Sequence, residues 1–214
     1  MKKIIILGAG DFAKEVAWLI DDINKQHPTY EIIGYLDDDK NKIGQVFNGY
    51  KCLGTIDLLS GLITEDKSLC ATIANQDANI RKKFVNMFPD FNNWETLIHP
   101  SANISNTSTV GKGCIICSSD NISVNTNIGN FCLLNISVTI GHDCLIGDFV
   151  SIMSGSCVSG HVIIGNSSYL ATNSTVVPGM KIGEEARVGA GSVVIRNVKS
   201  NTTVMGVPAK VLQW

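Results

Sequence analysis

Length, composition and charge already exclude several classes of protein. The chain has 214 residues, of which 44% are hydrophobic and 17% charged, and its formal net charge is −2. These values predict one large or two small globular domains and exclude a disordered chain. They also leave no basic field for nucleic acid and no polybasic patch for a membrane surface.

Two features predict a cytoplasmic protein with free thiols. The apolar run Ile4 to Leu7 near the start is too short for a signal peptide, and no stretch long enough to span a membrane follows. The seven cysteines are an odd number, which argues against a disulfide framework. Cys114 and Cys117 form a C-x-x-C, which is half a zinc site, a redox pair or part of the repeat described below. Because the sequence offers no second ligand pair, we favour the repeat.

Strands and helices alternate up to about residue 95. Apolar runs predict strands over Lys3–Leu7, Glu31–Leu36 and Leu69–Ala74. Apolar residues at helical spacing predict helices over Phe12–Ile23 and Asn79–Phe88. Strand, helix and strand in this order indicate a parallel α/β unit.

A glycine loop, Gly8-Ala9-Gly10, joins the first predicted strand to the first predicted helix. Gly10 lets a ligand approach the backbone, and the helix N-terminus offers N–H groups to phosphate oxygens. Read alone, the G-x-G-x-x-A pattern suggests NAD. The α/β part has under 100 residues, however, which is too few for a full dinucleotide fold.

Two acidic residues, Asp37 and Asp38, end the next predicted strand after the glycine loop. A carboxylate there can accept hydrogen bonds from a base N–H or a ribose hydroxyl. The alternative is a cluster that only forms a turn. Ala74, after the third predicted strand, is expected beside the same pocket.

A six-residue repeat begins at residue 104 and determines the fold of the second half. Every sixth residue is aliphatic, at sixteen positions without a slip: Ile104, Val110, Ile116, Ile122, Ile128, Leu134, Ile140, Ile146, Ile152, Val158, Ile164, Leu170, Val176, Ile182, Val188 and Val194. Four residues after each of them the side chain is mostly small, with Asp120 and Met180 as exceptions. Neither the period of a helix nor that of a hairpin sheet fits this spacing.

A second period, three hexapeptides long, lies on top of the first. This coil period relates five glycines, which we expect to form one column and to supply positive φ at a sharp corner: Gly111, Gly129, Gly147, Gly165 and Gly183. Three six-residue faces per coil predict a triangular solenoid of about five coils, rising roughly 4.8 Å per coil. The spacing itself does not give the handedness, and general chirality rules favour right-handed crossovers.

The coil period also predicts a cluster around His142. Gly160 comes one coil period after His142, so it is expected to stack over the histidine, where its N–H could bind a developing oxyanion. His161 comes one coil period after Asp143, so these two are expected to stack closely enough to interact. Thr172 and Ala190 fall in another column, on a different face.

Five motifs, in this order and spacing, span essentially the whole chain: Leu7–Glu15, Tyr35–Asp38, Ile98–Ser101, Gly141–Cys144 and Gly206–Lys210. With them the chain resembles the hexapeptide-repeat sugar acyltransferases, the subfamily of bacillosamine-pathway N-acetyltransferases, perosamine N-acetyltransferases and sialic acid O-acetyltransferases. The resemblance implies a Rossmann-like nucleotide-sugar-binding domain over residues 1–97. It also implies a left-handed parallel β-helix with a C-terminal tail over residues 98–214.

The resemblance also implies the reaction and the site. The expected reaction is N-acetylation of a nucleotide-linked 4-amino-4,6-dideoxy sugar by acetyl-CoA, without a metal. The expected enzyme is a homotrimer that serves surface glycan synthesis. UDP, dTDP and GDP all fit as the nucleotide of the sugar. His142 would be the general base, oriented by Asp143, because a protonated amine cannot attack a thioester. The other implied residues are, for the sugar nucleotide, Gly10, Asp11, Phe12, Asp37, Asp38, Ala74 and Asn135, and, for acetyl-CoA, Ser151, Gly160, Thr172 and Ala190.

Three alternatives remain open from the sequence. A sugar O-acetyltransferase needs the same base and donor, so only the acceptor distinguishes it. A zinc enzyme like the carbonic anhydrases with this fold needs three converging histidines, whereas the repeat carries only His142 and His161. A scaffold that binds a nucleotide without catalysis would leave His142, Asp143 and Gly160 unexplained.

Overall fold

The computed structural model describes residues 1–212 of the chain. It divides into two compact units, Met1–Pro100 and Ser101–Trp214, whereas the sequence places the division between residues 97 and 98. Within residues 1–212, no helix is long and apolar enough to cross a membrane.

A five-stranded sheet forms the centre of the first unit. Its strands, in chain order, are β1 (Lys2–Leu7), β2 (Tyr30–Leu36), β3 (Val46–Phe47), β4 (Tyr50–Gly54) and β5 (Cys70–Ile73). The spatial order is β3-β4-β2-β1-β5, and all neighbours are parallel except the β3–β4 pair. The last four residues of β1 are fully buried, as a central parallel strand requires.

Three helices accompany this sheet: α1 (Asp11–Gln26), α2 (Leu59–Glu65) and α3 (Ala78–Met87). The apolar face predicted for α1 is buried at Phe12, Val16, Leu19 and Ile20. The three strands and two helices expected from the sequence are therefore present. The β3–β4 hairpin and α2 were missed because their short segments carry little periodicity. A further strand, β6 (Leu97–Ile98), ends this unit.

The second unit consists of two-residue strands that recur every six residues. They are β7 (Asn103–Ile104), β8 (Thr109–Val110), β9 (Ile115–Ile116), β10 (Asn121–Ile122), β11 (Asn127–Ile128), β12 (Leu133–Leu134), β13 (Thr139–Ile140), β14 (Leu145–Ile146), β15 (Ser151–Ile152), β16 (Cys157–Val158), β17 (Ile163–Ile164), β18 (Tyr169–Leu170), β19 (Thr175–Val176), β20 (Lys181–Ile182), β21 (Arg187–Val188) and β22 (Val193–Val194). Two more strands, β23 (Thr203–Met205) and β24 (Lys210–Val211), follow them.

These strands stack into three parallel faces of a β-helix. The first face runs β7-β10-β13-β16-β19-β22, the second β8-β11-β14-β17-β20, and the third β9-β12-β15-β18-β21-β23, to which β24 adds antiparallel. Partners within the repeat are one coil period apart, as in the Asn121–Thr139 and Thr139–Cys157 pairs. The backbone of each coil is thus hydrogen-bonded to the next, for example from the Gly141 N–H to the Val158 carbonyl at 2.7 Å.

The predicted aliphatic positions fill the interior. The third-face column Ile116, Leu134, Ile152, Leu170 and Val188 is at most 1% exposed. Thiols occupy the small inward positions of three coils, at Cys114, Cys132 and Cys144. None of the seven cysteines forms a disulfide, and Cys114 and Cys117 are both buried in the repeat.

The glycine column exists, but the reason expected for it was wrong. Gly111 and Gly129 are not in the positive-φ region. A Cβ added to Gly111 would lie 2.6 Å from the Gly129 carbonyl oxygen, and one on Gly129 would lie 2.8 Å from the Gly147 carbonyl carbon. The close stacking of coils therefore requires these glycines. Positive φ falls two residues later in each turn, often on ordinary residues such as Phe131 and Phe149.

Asp120 departs from the repeat and brings a carboxyl group into the interior. It is fully buried, and its Oδ1 accepts a hydrogen bond of 2.7 Å from the Val138 N–H. Burial raises its pKa to about 8, against hydrogen bonds that act in the opposite direction. An unfolded chain has an aspartate pKa of about 3.9, so folding takes up a proton here. The stability contributed by this proton is present at low pH and is lost as the pH rises towards about 8.

Replacing Asp120 by Asn should therefore stabilise the protein at neutral and alkaline pH. The amide keeps the shape of the protonated acid and has no charge to desolvate. We expect Asp120→Asn to raise the free energy of unfolding by about 1–4 kcal/mol at pH 8 and by less at pH 5, in urea titrations at both pH values. Asp90→Asn, at an exposed site, is the matched control. An advantage that stayed constant with pH would contradict this account.

Candidate active site

A cleft of about 350 Å³ opens at the carboxyl ends of β1, β2 and β5 in the first unit. Parallel α/β sheets bind ligands at this edge. The lining residues are Gly8, Gly10, Asp11, Phe12, Asp37, Lys42, Ala74, Asn75 and Gln76. The structure thus gathers Gly10, Asp11, Phe12, Asp37 and Ala74, five residues singled out from the sequence.

Asp38 is not among the residues that line this cleft. Its Oδ1 accepts a hydrogen bond from the Ile56 N–H at 3.2 Å, and its Oδ2 lies 3.3 Å from Lys83 Nζ. It therefore supports the loop after β4. Conversely, Lys42, Asn75 and Gln76 line the cleft, and no motif in the sequence pointed to them.

The Asp37 carboxylate holds the glycine loop against the end of β2. Oδ2 accepts the Ala9 N–H at 2.7 Å and pairs with Lys42 Nζ at 2.9 Å, and Oδ1 accepts the Asp39 N–H at 2.9 Å. Burial by itself would raise the pKa of Asp37, but these hydrogen bonds and the Lys42 charge outweigh it and lower the pKa. Three of its roughly four acceptor positions are thus used within the protein. Asp37 organises the cleft and holds the Lys42 cation at its rim.

The glycines of the loop have different roles. Gly8 has φ of +106°, and a Cβ there would lie 3.0 Å from the Ala74 carbonyl oxygen. Gly10 precedes α1 as its N-cap, with no side-chain cap, and a Cβ there would meet no atom within 4 Å. The protein itself does not need glycine at position 10. The open space is available to a ligand at the positive end of α1.

His142 lies where the chain turns from the first face of the β-helix to the second, in a corner that we call the His142 corner (residues 141–144). Its Nδ1 is 2.8 Å from Asp143 Oδ2, while Asn125 Nδ2 donates to Asp143 Oδ1 at 3.1 Å. The hydrogen bonds from His142 and then Asn125 lower the pKa of Asp143. The carboxylate is therefore ionised near neutral pH and accepts from Nδ1–H, and in a neutral imidazole with this tautomer the lone pair is on Nε2.

The next coil completes this corner as the period predicts. A Cβ on Gly160 would lie 2.5 Å from His142 Nε2, so any larger residue would displace the imidazole ring from this position. His161 Nε2 lies 4.0 Å from Asp143 Oδ2, and the His142 and His161 rings meet edge to face at 4.9 Å. Both stacking predictions are confirmed. Asn125 was missed, although it lies one coil period before Asp143 and the same reasoning would have found it.

Four other expected residues lie away from the His142 corner within one chain. Thr172 and Ala190 are in one column, where the Gly191 N–H donates to the Thr172 carbonyl at 2.9 Å, but this is the corner between the third and first faces. Ser151 is buried in β15 on the third face, and Asn135 directly follows β12 on that face. Asn135 Oδ1 accepts the Ile136 N–H at 2.7 Å.

Comparison with known proteins agrees with this architecture. Residues 3–88 match the family model described as the PglD N-terminal domain. The acetyltransferase domain of PglB from Neisseria gonorrhoeae, solved with acetyl coenzyme A, is 30% identical over 99% of both chains, with a TM-score of 0.90. The chain belongs to the hexapeptide-repeat sugar acyltransferases. It is therefore an enzyme, an acyltransferase whose expected donor is acetyl-CoA.

Two further solved relatives support this membership. PerB from Caulobacter crescentus, solved with CoA and GDP-perosamine, is 28% identical over 99% of this chain and 97% of its own, with a TM-score of 0.86. WeeI from Acinetobacter baumannii is 29% identical over 98% of this acyltransferase and 99% of its own chain, with a TM-score of 0.87. No curated protein matches the sequence. The fold class expected from the sequence, a Rossmann-like unit followed by a left-handed parallel β-helix, is confirmed.

The open space at Gly10 gives a test of the cleft. Serine is a good N-cap, so Gly10→Ser should leave unfolding unchanged while its side chain enters the cleft. We expect the Kd for a nucleotide-linked sugar to rise about tenfold or more, equivalent to roughly 1.4 kcal/mol, in calorimetric titrations. Gly61→Ser in α2, where an added Cβ also meets no atom within 4 Å, is the matched control. Unchanged affinity in Gly10→Ser would exclude this cleft as the nucleotide site.

Proposed function

We propose that this acyltransferase transfers the acetyl group of acetyl-CoA directly to the 4-amino group of a nucleotide-linked 4-amino-4,6-dideoxy sugar, with His142 as general base. The observation that carries the proposal is the His142 corner. There a carboxylate holds Nδ1, and the missing side chain at Gly160 leaves room for Nε2. The relatives solved with acetyl coenzyme A and with GDP-perosamine support the donor and the class of acceptor.

The geometry supports a simple sequence of proton transfers. The neutral amine attacks the thioester carbonyl carbon, and His142 Nε2 accepts the proton that the nitrogen loses as the N–C bond forms. Asp143 stabilises the resulting imidazolium through Nδ1–H. The C–S bond then breaks, and the imidazolium returns the proton to the departing CoA thiolate. The Gly160 N–H, which donates to no acceptor among the described residues, is the candidate to stabilise the oxyanion.

The first unit supplies the nucleotide site in this proposal. A sugar nucleotide carries two phosphates, and the cleft offers the N-terminus of α1 together with Lys42. Asp11, Phe12, Ala74, Asn75 and Gln76 would contact the base, ribose or sugar. UDP, dTDP and GDP all remain compatible with this lining.

We expect His142→Ala to lower kcat by about 10²–10⁴-fold and to leave the fold unchanged. The reason is that the variant lacks the imidazole that Asp143 orients and for which Gly160 leaves room. The measurement is direct detection of the acetylated sugar nucleotide. His27→Ala, at an exposed site in the first unit, should keep full activity. Near-normal kcat in His142→Ala would refute the assignment of the base.

The choice of acceptor is tested in the same assay. An amine-bearing sugar nucleotide should be acetylated, and one that differs only by a hydroxyl at that carbon should not. The reverse preference would make the enzyme a sugar O-acetyltransferase and would leave the role of His142 intact.

We further propose a homotrimer. Thr172, Ala190, Asn135 and Ser151 lie away from the His142 corner of their own chain. A ligand that touches both sets must therefore lie between neighbouring chains. Light scattering should give three times the mass of the chain, and a monomeric mass at assay concentration would contradict this arrangement.

A further inference from the structure

His161 has no role in the proposed reaction, yet it completes a cluster of three metal-binding side chains. One ligand atom from each of His142, Asp143 and His161 can be chosen so that all three lie within 4.8 Å of one another. Asp143 Oδ2 lies 2.8 Å from His142 Nδ1 and 4.0 Å from His161 Nε2.

The chemistry of this set selects one class of ion. Two imidazoles and one carboxylate are a usual ligand set for zinc, whereas calcium and magnesium prefer oxygen alone. Zinc bonds of about 2.0–2.2 Å place tetrahedral ligands roughly 3.3 Å apart, which is between the two observed separations. The three side chains are 52%, 39% and 65% exposed, so small rotations can close the remaining gap.

We propose that His142, Asp143 and His161 form a binding site for a divalent transition-metal ion of the zinc class, and that the bound ion switches the enzyme off. The three side chains supply three tetrahedral positions, and water takes the fourth. The Asp143 carboxylate provides the negative charge.

Inhibition, unlike binding, rests on the proposed role of His142. If the ion binds Nε2, it covers the atom that must accept the proton. If it binds Nδ1, the ring proton moves to Nε2, which then has no lone pair. Either mode removes the general base while leaving the nucleotide cleft of the first unit unaltered.

The site is tested first by binding, without acetyl-CoA. Zn²⁺ is titrated calorimetrically into the full-length protein carrying Cys157→Ser, since Cys157 is half-buried and the other six cysteines are buried. We expect one ion per chain. His161→Gln should weaken binding by about 10–100-fold or more, since losing even a supporting partner of a metal ligand costs that much. His27→Gln, the matched exposed control, should bind as the parent does. Equal affinity in His161→Gln, or no binding in the parent, would overturn the site.

Turnover measurements then test the switch. The parent and His161→Gln are each assayed first without zinc, and inhibition is expressed as a fraction of each protein's own zinc-free rate. With zinc, the parent should lose activity, EDTA should restore it, and His161→Gln should resist. The acetylated product is detected by mass, because a thiol reagent would respond to zinc-bound CoA. If zinc inhibited the parent and His161→Gln equally, the inhibition would come from zinc bound to CoA, and the proposal that the site switches the enzyme off would be wrong. Zinc binding that requires His161 but leaves turnover unchanged would support the site and contradict the role of His142 as base.

Discussion

The pairing of each residue with the one three hexapeptides later is the constraint on which the second half of the molecule depends. Parallel backbone hydrogen bonds fix this register at every coil, and the aliphatic residue of each hexapeptide fills the interior. The coils approach so closely that Gly111 and Gly129 have no room for a Cβ. The six-residue spacing runs without an insertion from Ile104 to Val194, so the aliphatic residues of every coil face the interior.

This register also assembles the His142 corner. It places Gly160 over His142, and it places Asn125, Asp143 and His161 in one column. Three consecutive coils thus supply the groups of this corner. Asn125 comes from the first, His142 and Asp143 from the second, and Gly160, which has no side chain beside Nε2, from the third. Regular coils position these groups more closely than a loop would, and the proposed reaction requires this because the base must meet an amine and a thioester together.

The first unit uses a different principle, the shared edge of a parallel sheet. The segments after β1, β2 and β5 meet there, so glycines, Asp37 and Ala74 from distant parts of the sequence line one cleft. Asp37 and Lys42 form an ion pair at the rim of this cleft, which holds the lysine where the proposed sugar nucleotide would place its phosphates.

The sequence by itself determined the β-helix, its coil length and the His142–Gly160 and Asp143–His161 contacts, because a fixed period converts sequence distance into spatial distance. It also determined the main strands and helices of the first unit, whose apolar patterns are long enough to read. Only the tertiary structure decided that Asp38 supports a loop, that Lys42 reaches the cleft and that the glycine column serves close packing rather than positive φ. These features depend on which atoms meet across the fold, and a local pattern carries no information about such non-periodic contacts.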